Sequence, residues 1–147
     1  YLNENPSDYF PGNGSFTLVD GILNEKGGRT QESVGYSGSD VEATIDLGSD
    51  QPISNVVVHA LNSGGTYVYP PKAVEVYGSA DGKTFTPLGS ATSVTQVQGS
   101  KALLKVEFSP ATTRFVKVAV RNQQSVPAGN RGEGEKTWLF LDEIEVN

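Results

Sequence analysis

The 147-residue chain contains no cysteine and no methionine, and 17 acidic residues against 11 Lys and Arg residues give it a net charge of -6. It therefore forms no disulfides and no thiolate metal sites, and its acidic balance disfavours nucleic acid and anionic membrane surfaces as partners. A chain of this length buries about 70% of the surface that its unfolded form exposes. We therefore expect one domain over residues 1–147.

The amino-terminal sequence YLNENP has no initiator methionine and no basic segment followed by an apolar run. It matches neither a natural start nor a signal peptide, so we expect the chain to be part of a longer protein. No stretch approaches the roughly 18 consecutive apolar residues of a spanning helix, which predicts no membrane insertion.

Apolar and polar residues alternate through most of the chain, as in strands with one buried face, and no segment has a helical stripe. The predicted strands cover residues 15–19, 41–47, 53–61, 73–77, 103–108, 114–121 and 137–146. Gly48 is expected to end the second of them. The pair Asp81-Gly82 predicts a tight hairpin turn after the strand 73–77.

Eight or so short strands joined by Gly, Pro, Ser and Asn clusters indicate an all-β fold, an antiparallel sandwich or jelly roll. A parallel sheet would need crossover helices. Three long polar stretches, residues 21–39, 62–71 and 122–136, are predicted loops. Loops cluster at the ends of a sandwich and commonly carry its function.

The residues offer little for catalysis. The only histidine, His59, lies in an apolar run, which favours a packed or rim histidine over a catalytic base. Asp142 and Glu143 are neighbours on a predicted strand and point to opposite faces, unlike the paired carboxylates of a glycosidase. The chain has no nucleophile elbow, zinc-protease motif or phosphate-binding loop. We therefore predict that the domain is not an enzyme.

Two carboxylates are candidates for a calcium site. Asp20-Gly21 opens the first long loop and Glu143 lies in the last strand, and the termini of a domain often meet. Calcium takes roughly six to eight oxygen ligands, many of them backbone carbonyls of a turned loop. The alternative is that Asp20-Gly21 is only a turn and Glu143 a solvated strand residue.

Aromatic and polar side chains lie together in the three predicted loops. A sugar stacks its apolar C–H face on an aromatic ring while Arg and amide groups hydrogen-bond its hydroxyls. The candidates for such contacts are Tyr36, Tyr67, Tyr69, Trp138, Arg29, Asn62, Asn122, Asn130 and Arg131. From the residues alone, Tyr36 and Tyr67 suit a rigid loop as well as a binding site, whereas Trp138 favours the core.

An ordered set of motifs resembles the discoidin family, also called the coagulation factor 5/8 type C domain, in its carbohydrate-binding module family 32 branch. The motifs are LVDG at 18–21, GSD at 38–40, IDLG at 45–48, ISNV at 53–56, PKAVEV at 71–76, SADGKTF at 79–85, RFVKV at 114–118 and WLFLDEI at 138–144. More narrowly, the chain is similar to the C-terminal domain of bacterial chitobiase or β-hexosaminidase enzymes.

The resemblance implies a jelly-roll β-sandwich with a structural calcium ion between the loop after the first strand and the last strand. Asp20 would supply a side-chain oxygen, Glu143 a carboxylate and residues 18–30 backbone carbonyls. The family pattern follows Asp-Gly with a short segment ending in Thr and Trp. This chain has a longer loop up to Thr30, and Tyr36 stands where an aromatic residue, often Trp, is usual.

The family's sugar site lies at one loop end. We expect Tyr67 as a stacking platform, Arg131, Asn122 and Arg29 as hydroxyl-binding groups, and Tyr36 as a further aromatic contact. The expected function is a non-catalytic module that holds the glycoside hydrolase of the same chain near glycans ending in galactose or N-acetylhexosamine, in a secreted, periplasmic or cell-surface bacterial protein. The alternatives are a structural accessory domain that packs on the catalytic domain and a protein-binding adhesion module.

Overall fold

The computed structural model describes residues 1–21, 23, 32–63 and 66–147. These residues form one short 3-10 helix and seven antiparallel strands. The helix covers Gly14–Val19, and the strands are β1 (Val34–Ser37), β2 (Val41–Leu61), β3 (Ala73–Ser79), β4 (Thr86–Ala91), β5 (Gln96–Gln98), β6 (Lys101–Arg121) and β7 (Trp138–Val146). Within the described part of the chain, no helix has the length and apolar character needed to span a bilayer.

Strands β2 and β6 each run through two layers. In the first layer, the start of β2 pairs with the end of β6, and β3 and β4 follow. In the second layer, the end of β2 pairs with the start of β6 and with β7, and β1 and β5 flank them. One hydrogen-bonded sheet of order β1-β7-β2-β6-β3-β4 thus supplies both layers of a jelly-roll sandwich, which confirms the predicted all-β fold.

A valine-rich core lies between the two layers. The first layer contributes Val41, Ala43, Val74, Val76, Val116, Val118 and Val120, and the second contributes Val56, Val58, Leu104, Val106, Leu139 and Leu141. All are buried, and they occupy alternate positions along their strands, so one face of each layer is apolar. β-Branched side chains fit such a pleated, half-buried surface well.

One predicted strand and one predicted strand end are wrong. Residues 15–19 form the 3-10 helix rather than a strand, because the neighbours Thr17 and Leu18 are both buried while Phe16 and Val19 are exposed. Gly48 does not end a strand. It adopts a positive φ of 85° where the pairing of β2 with β6 shifts register between Asp46 and Gln51, so the strand bulges and continues.

The bulge region is also where the predicted strands 103–108 and 114–121 join into the single strand β6. The alternation of apolar residues breaks there because the chain passes from one layer to the other, although the strand pairing continues on both sides. The predicted hairpin at Asp81-Gly82 forms, but residues 80–85 connect its strands as a loop longer than a tight turn. It links β3 to β4, Gly82 has a φ of 74°, and the Asp81 carboxylate accepts hydrogen bonds from the N–H groups of Lys83 and Thr84.

A second, smaller apolar cluster covers the outer face of the second layer at one end. It contains Leu61, Val68 and Phe140, with Phe10 and Trp138 packed against them. The rings of Phe10 and Trp138 meet edge to face with centroids 5.2 Å apart. Trp138 is therefore a packing residue, as its sequence position favours, and the cluster anchors the loops around it.

Candidate functional site

Two of the predicted loops lie side by side at one end of the sandwich. The N–H of Trp138 donates to the carbonyl of Tyr67 at 2.7 Å, and the N–H of Tyr69 donates to the carbonyl of Trp138 at 3.1 Å. A further bridge between Ser125 and Lys136 closes the second loop. We call the surface formed by residues 62–63, 66–72 and 122–137 the loop end. Its backbone is fixed by hydrogen bonds within the chain.

Tyr67 is held firmly in the loop end. Its φ of 62° lies in the left-handed region, which residues other than glycine rarely adopt and which often marks functional sites. Its half-buried ring lies directly against Gly132, where a Cβ atom would overlap the ring. Arg131, the residue before Gly132, is exposed. The structure thus brings together an immobilised aromatic ring and the segment that carries the predicted hydroxyl-binding guanidinium.

Asn122 fixes the loop end from beneath and is only 1% exposed. Its Nδ2 donates to the carbonyl of Ser39, and its Oδ1 accepts from the N–H of Gln124 and the hydroxyl of Thr137. The amide therefore presents no surface to a ligand. We correct its predicted role from hydroxyl binding to loop positioning.

Tyr36 lies in β1 and faces the core, with 2% of its surface exposed. Burial, with the charge of Glu4, raises the pKa of its hydroxyl to about 12. Tyr36 is therefore a core residue and not the predicted surface contact. Its position two residues after the buried Val34 is consistent with a side chain that faces the core. Arg29, the remaining predicted contact, lies outside the described residues.

An ion-pair network at the base of the loop end was not predicted from the sequence. Arg121, at the end of β6, contacts Glu75 at 2.7 Å and Asp40 at 3.5 Å. The guanidinium lowers the pKa of the Glu75 carboxyl, and Asp40 also accepts a hydrogen bond from the N–H of Asn122. These partners lie tens of residues apart in the chain, and no local pattern indicates such pairing.

The two predicted calcium ligands also meet. The Glu143 carboxylate accepts a hydrogen bond of 3.0 Å from the N–H of Gly21, and Asp20 lies close enough to interact with it. Burial and the negative charges of Asp20 and Glu145 raise the pKa of Glu143 to about 7, although the Gly21 N–H opposes this shift.

A cation would offset the repulsion between these carboxylates, and paired carboxylates are donors that suit calcium. Among the described residues, no group of three or more His, Asp or Glu side chains could hold a metal. Residues 22 and 24–30, which the prediction includes as carbonyl donors, lie outside the described part of the chain.

His59 occupies the position expected of a packed or rim histidine. Its Nε2 lies 2.7 Å from Oε1 of Glu145 in the neighbouring strand β7, and 19% of its side chain is exposed. The partner of the imidazole is thus a carboxylate on the same sheet face, which orients the ring.

A family model of the F5/8 type C domain matches residues 6–133. The match covers most of the chain, so the protein belongs to the F5/8 type C domain family, as the ordered motifs predict. A comparison with curated protein sequences finds no match.

Several solved structures share the fold. A pectin-binding carbohydrate-binding module is 17% identical with a TM-score of 0.62, over 100% of this chain and 87% of its own. The C-terminal domain of a chitobiase from Bacteroides fragilis is 20% identical with a TM-score of 0.62, over 100% and 89%. Chitosan-binding module 2 of a chitosanase/glucanase from Paenibacillus sp. IK-5, solved with chitotriose, is 21% identical with a TM-score of 0.61, over 99% and 92%.

Proposed function

We propose that the chain is a non-catalytic carbohydrate-binding module whose loop end binds a sugar unit. The observation that carries this proposal is the Tyr67 ring, held against Gly132 beside the exposed Arg131. A fixed ring loses little conformational entropy when a sugar stacks on it, and a guanidinium donates hydrogen bonds to hydroxyl oxygens. The similar structures that bind pectin and chitotriose support this choice of ligand class.

The proposed ligands are glycans that end in galactose or N-acetylhexosamine. We expect weak binding, with a Kd on the order of 0.1 to 1 mM, or about 4 to 5.5 kcal/mol. A weak contact suffices for a tether, because it raises the effective concentration of glycan around an attached enzyme. That enzyme would be a chitobiase or β-hexosaminidase type glycoside hydrolase of the same chain, in a secreted, periplasmic or cell-surface bacterial protein.

A glycan array followed by calorimetric titration tests the proposal. Tyr67→Ala and Arg131→Ala should each abolish detectable binding while the thermal melt of Arg131→Ala stays unchanged. Tyr1→Ala is the matched control, because Tyr1 is 89% exposed and lies beside Thr44 rather than at the loop end. Unchanged binding by both loop-end variants would remove these residues from the site, and a blank array with flat titrations of concentrated monosaccharides would refute sugar binding.

A second function is favoured by an apolar surface at the 3-10 helix. Phe16 is 64% exposed and Val19 45% exposed, and both line a cavity of about 290 Å³ together with Leu2 and Ile45. Such a surface suits a structural domain that packs on a neighbouring catalytic domain. In a protein in which this domain is joined to such a catalytic domain, Phe16→Ser should then lower the melting temperature of that neighbour and leave glycan binding intact. No change in its melting would argue against this function.

We also propose that Asp20 and Glu143 bind a structural calcium ion. The meeting of two partly buried carboxylates supports this, since such a pair is unfavourable without a cation. Calcium at about 100 times its Kd should stabilise the fold by about 2.7 kcal/mol. A melting temperature that calcium and chelator leave unchanged, with no calcium found by elemental analysis, would contradict the assignment.

A further inference from the structure

A cavity of about 210 Å³ opens on the outer face of the second layer, beneath the hairpin of β5 and β6. Its lining residues are Leu23, His59, Ala60, Gln96, Gln98, Lys101, Ala102, Leu103 and Asp142. The loop end begins beyond Leu61, and none of its residues lines the cavity. The cavity is therefore distinct from the site proposed above.

Strand register explains how polar side chains surround an apolar floor here. Gln96 pairs with Leu103, which pairs in turn with His59, and Gln98 pairs with Lys101. Paired residues project to the same face of a sheet, so these side chains stand in two adjacent rows. The two glutamine side chains start about 6.6 Å apart along β5, a separation comparable with the width of a pyranose ring.

The cavity has the mixed chemistry that a sugar needs. The partly exposed Leu103 provides apolar surface for the C–H face of a ring. Gln96 and Gln98 are exposed, and each carboxamide supplies two N–H donors and an acceptor oxygen for hydroxyl groups. Lys101 adds an ammonium donor. A hexose unit can therefore satisfy the polar rim and cover the floor at the same time.

The charged groups around the cavity restrict the kind of hexose. Asp142 lines the cavity and is 2% exposed, and the Glu145 carboxylate pairs with His59 in the wall. Lys101 is the one Lys or Arg side chain among the lining residues. A uronic acid would bring its own carboxylate towards these carboxyl groups and be repelled, whereas a hydroxyl or an amino group would be accepted.

We propose that this cavity is a second carbohydrate subsite that takes a neutral or amino hexose unit and rejects hexuronates. The inference rests on the proposed function, because both sites require a glycan ligand. It adds a contact on the side of the sandwich, so that one module can engage a branched glycan, or two neighbouring chains, at two points. Two linked weak contacts give greater retention than either contact alone.

The test is a titration of the isotopically labelled 147-residue chain with galactose, glucosamine and galacturonic acid, followed by NMR. Galactose and glucosamine should shift the side-chain amide signals of Gln96 and Gln98 at concentrations of about 10 mM, since weak sites are half-filled near 1 mM. Galacturonic acid should shift them at least several-fold less. The double variant Gln96→Ala/Gln98→Ala should lose these effects at Lys101 and Leu103, and Tyr67→Ala should keep them.

Val97→Ala is the matched control, because Val97 lies in the same short strand, is 55% exposed and does not line the cavity. Shifts confined to the loop end would overturn the second subsite and leave the proposed function standing. No shift anywhere would overturn both. Equal shifts of the glutamine amides with galacturonic acid would overturn the selection against uronates.

Discussion

The loop end and the Asp20–Glu143 pair are held in opposite ways. The loop end is fixed mainly by neutral groups, namely backbone hydrogen bonds, the buried Asn122 amide and the aromatic cluster, and the Asp40 carboxylate accepts one backbone N–H at its base. In the carboxylate pair, the Gly21 N–H donates to Glu143, while the negative charges of Asp20 and Glu143 repel each other. The first region is organised by contacts within the chain, whereas in the second the proposed calcium ion would offset the repulsion between the two carboxylates. The difference predicts that chelators and mild acid change the stability of the region around Asp20 and Glu143 and leave the loop end unaffected.

The largest expected effect comes from removing the amide that fixes the loop end. Asn122→Ala deletes three side-chain hydrogen bonds in a buried position and should lower the free energy of unfolding by about 3 to 4 kcal/mol in urea denaturation. The control Asn130→Ala, at an exposed position in the same loop, should change it by less than about 0.5 kcal/mol. Similar losses in both variants would show that Asn122 has no special role.

The carboxylate pair should give the calcium-free chain an unusual pH dependence. The pKa of Glu143 is raised from 4.5 to about 7, so the folded state binds its proton more tightly than the unfolded state does. In chelator, this group therefore favours the fold below pH 4.5, and stability falls by up to about 3 kcal/mol as the pH rises through 7.

Glu143→Gln should remove that fall in urea titrations at several pH values, and saturating calcium should reduce it in the unaltered chain. The loop end serves as the internal reference, since backbone hydrogen bonds, the Asn122 amide and the aromatic cluster hold most of it in place. A calcium-free chain whose stability is the same at pH 5 and pH 8 would contradict the raised pKa.

A matched pair of glycines tests how firmly Tyr67 is held. Gly132 and Gly134 have φ values of 80° and 86°, so alanine is strained at both. Only at Gly132 does the added Cβ overlap the Tyr67 ring, whereas nothing lies within 4 Å at Gly134. Gly134→Ala should cost about 1 kcal/mol, and Gly132→Ala about 2 kcal/mol with loss of sugar binding. Equal melts and equal affinities would show that the ring moves freely.

The smallest expected effect concerns the ion pairs at the base of the loop end. Glu75→Gln removes the closer partner of Arg121, but both side chains are about one-third exposed and Asp40 remains. The loss should be below about 1 kcal/mol, and sugar affinity should stay within twofold. A larger loss of affinity would mean that charged groups, and not only the neutral ones, hold the loop end in place.

Most of the fold could be predicted from the sequence, because alternation reports which residues of a strand face the core. The alternation of apolar residues is a poor guide where the burial pattern of a segment does not follow its strand pairing. At Gly48 the apolar pattern stops although the strand continues through a bulge, and in residues 15–19 an apparent alternation belongs to a 3-10 helix. Local sequence does not show how a strand passes from one layer to the other.

The candidate site was less predictable, because contacts with residues distant in the chain decide which of its side chains are exposed and which are buried. Tyr67 and Arg131 are brought near each other by the hydrogen bond between Tyr67 and Trp138 and by the contact with Gly132. Asn122 has the same residue type as a surface ligand, but its partners Ser39 and Thr137 bury it. Residue type indicated the chemistry, and only the fold decided exposure.

The two strands that cross both layers also determine how the chain folds and unfolds. Val41 pairs with Val120 and Leu61 with Lys101. These partners are far apart in the sequence, so β2 and β6 can pair only after long loops have closed. Folding should therefore be slow, in the range of milliseconds to seconds typical of β-sandwiches. Because each of these strands belongs to both layers, neither layer can open alone, and slow amide hydrogen exchange should report one global rate for both.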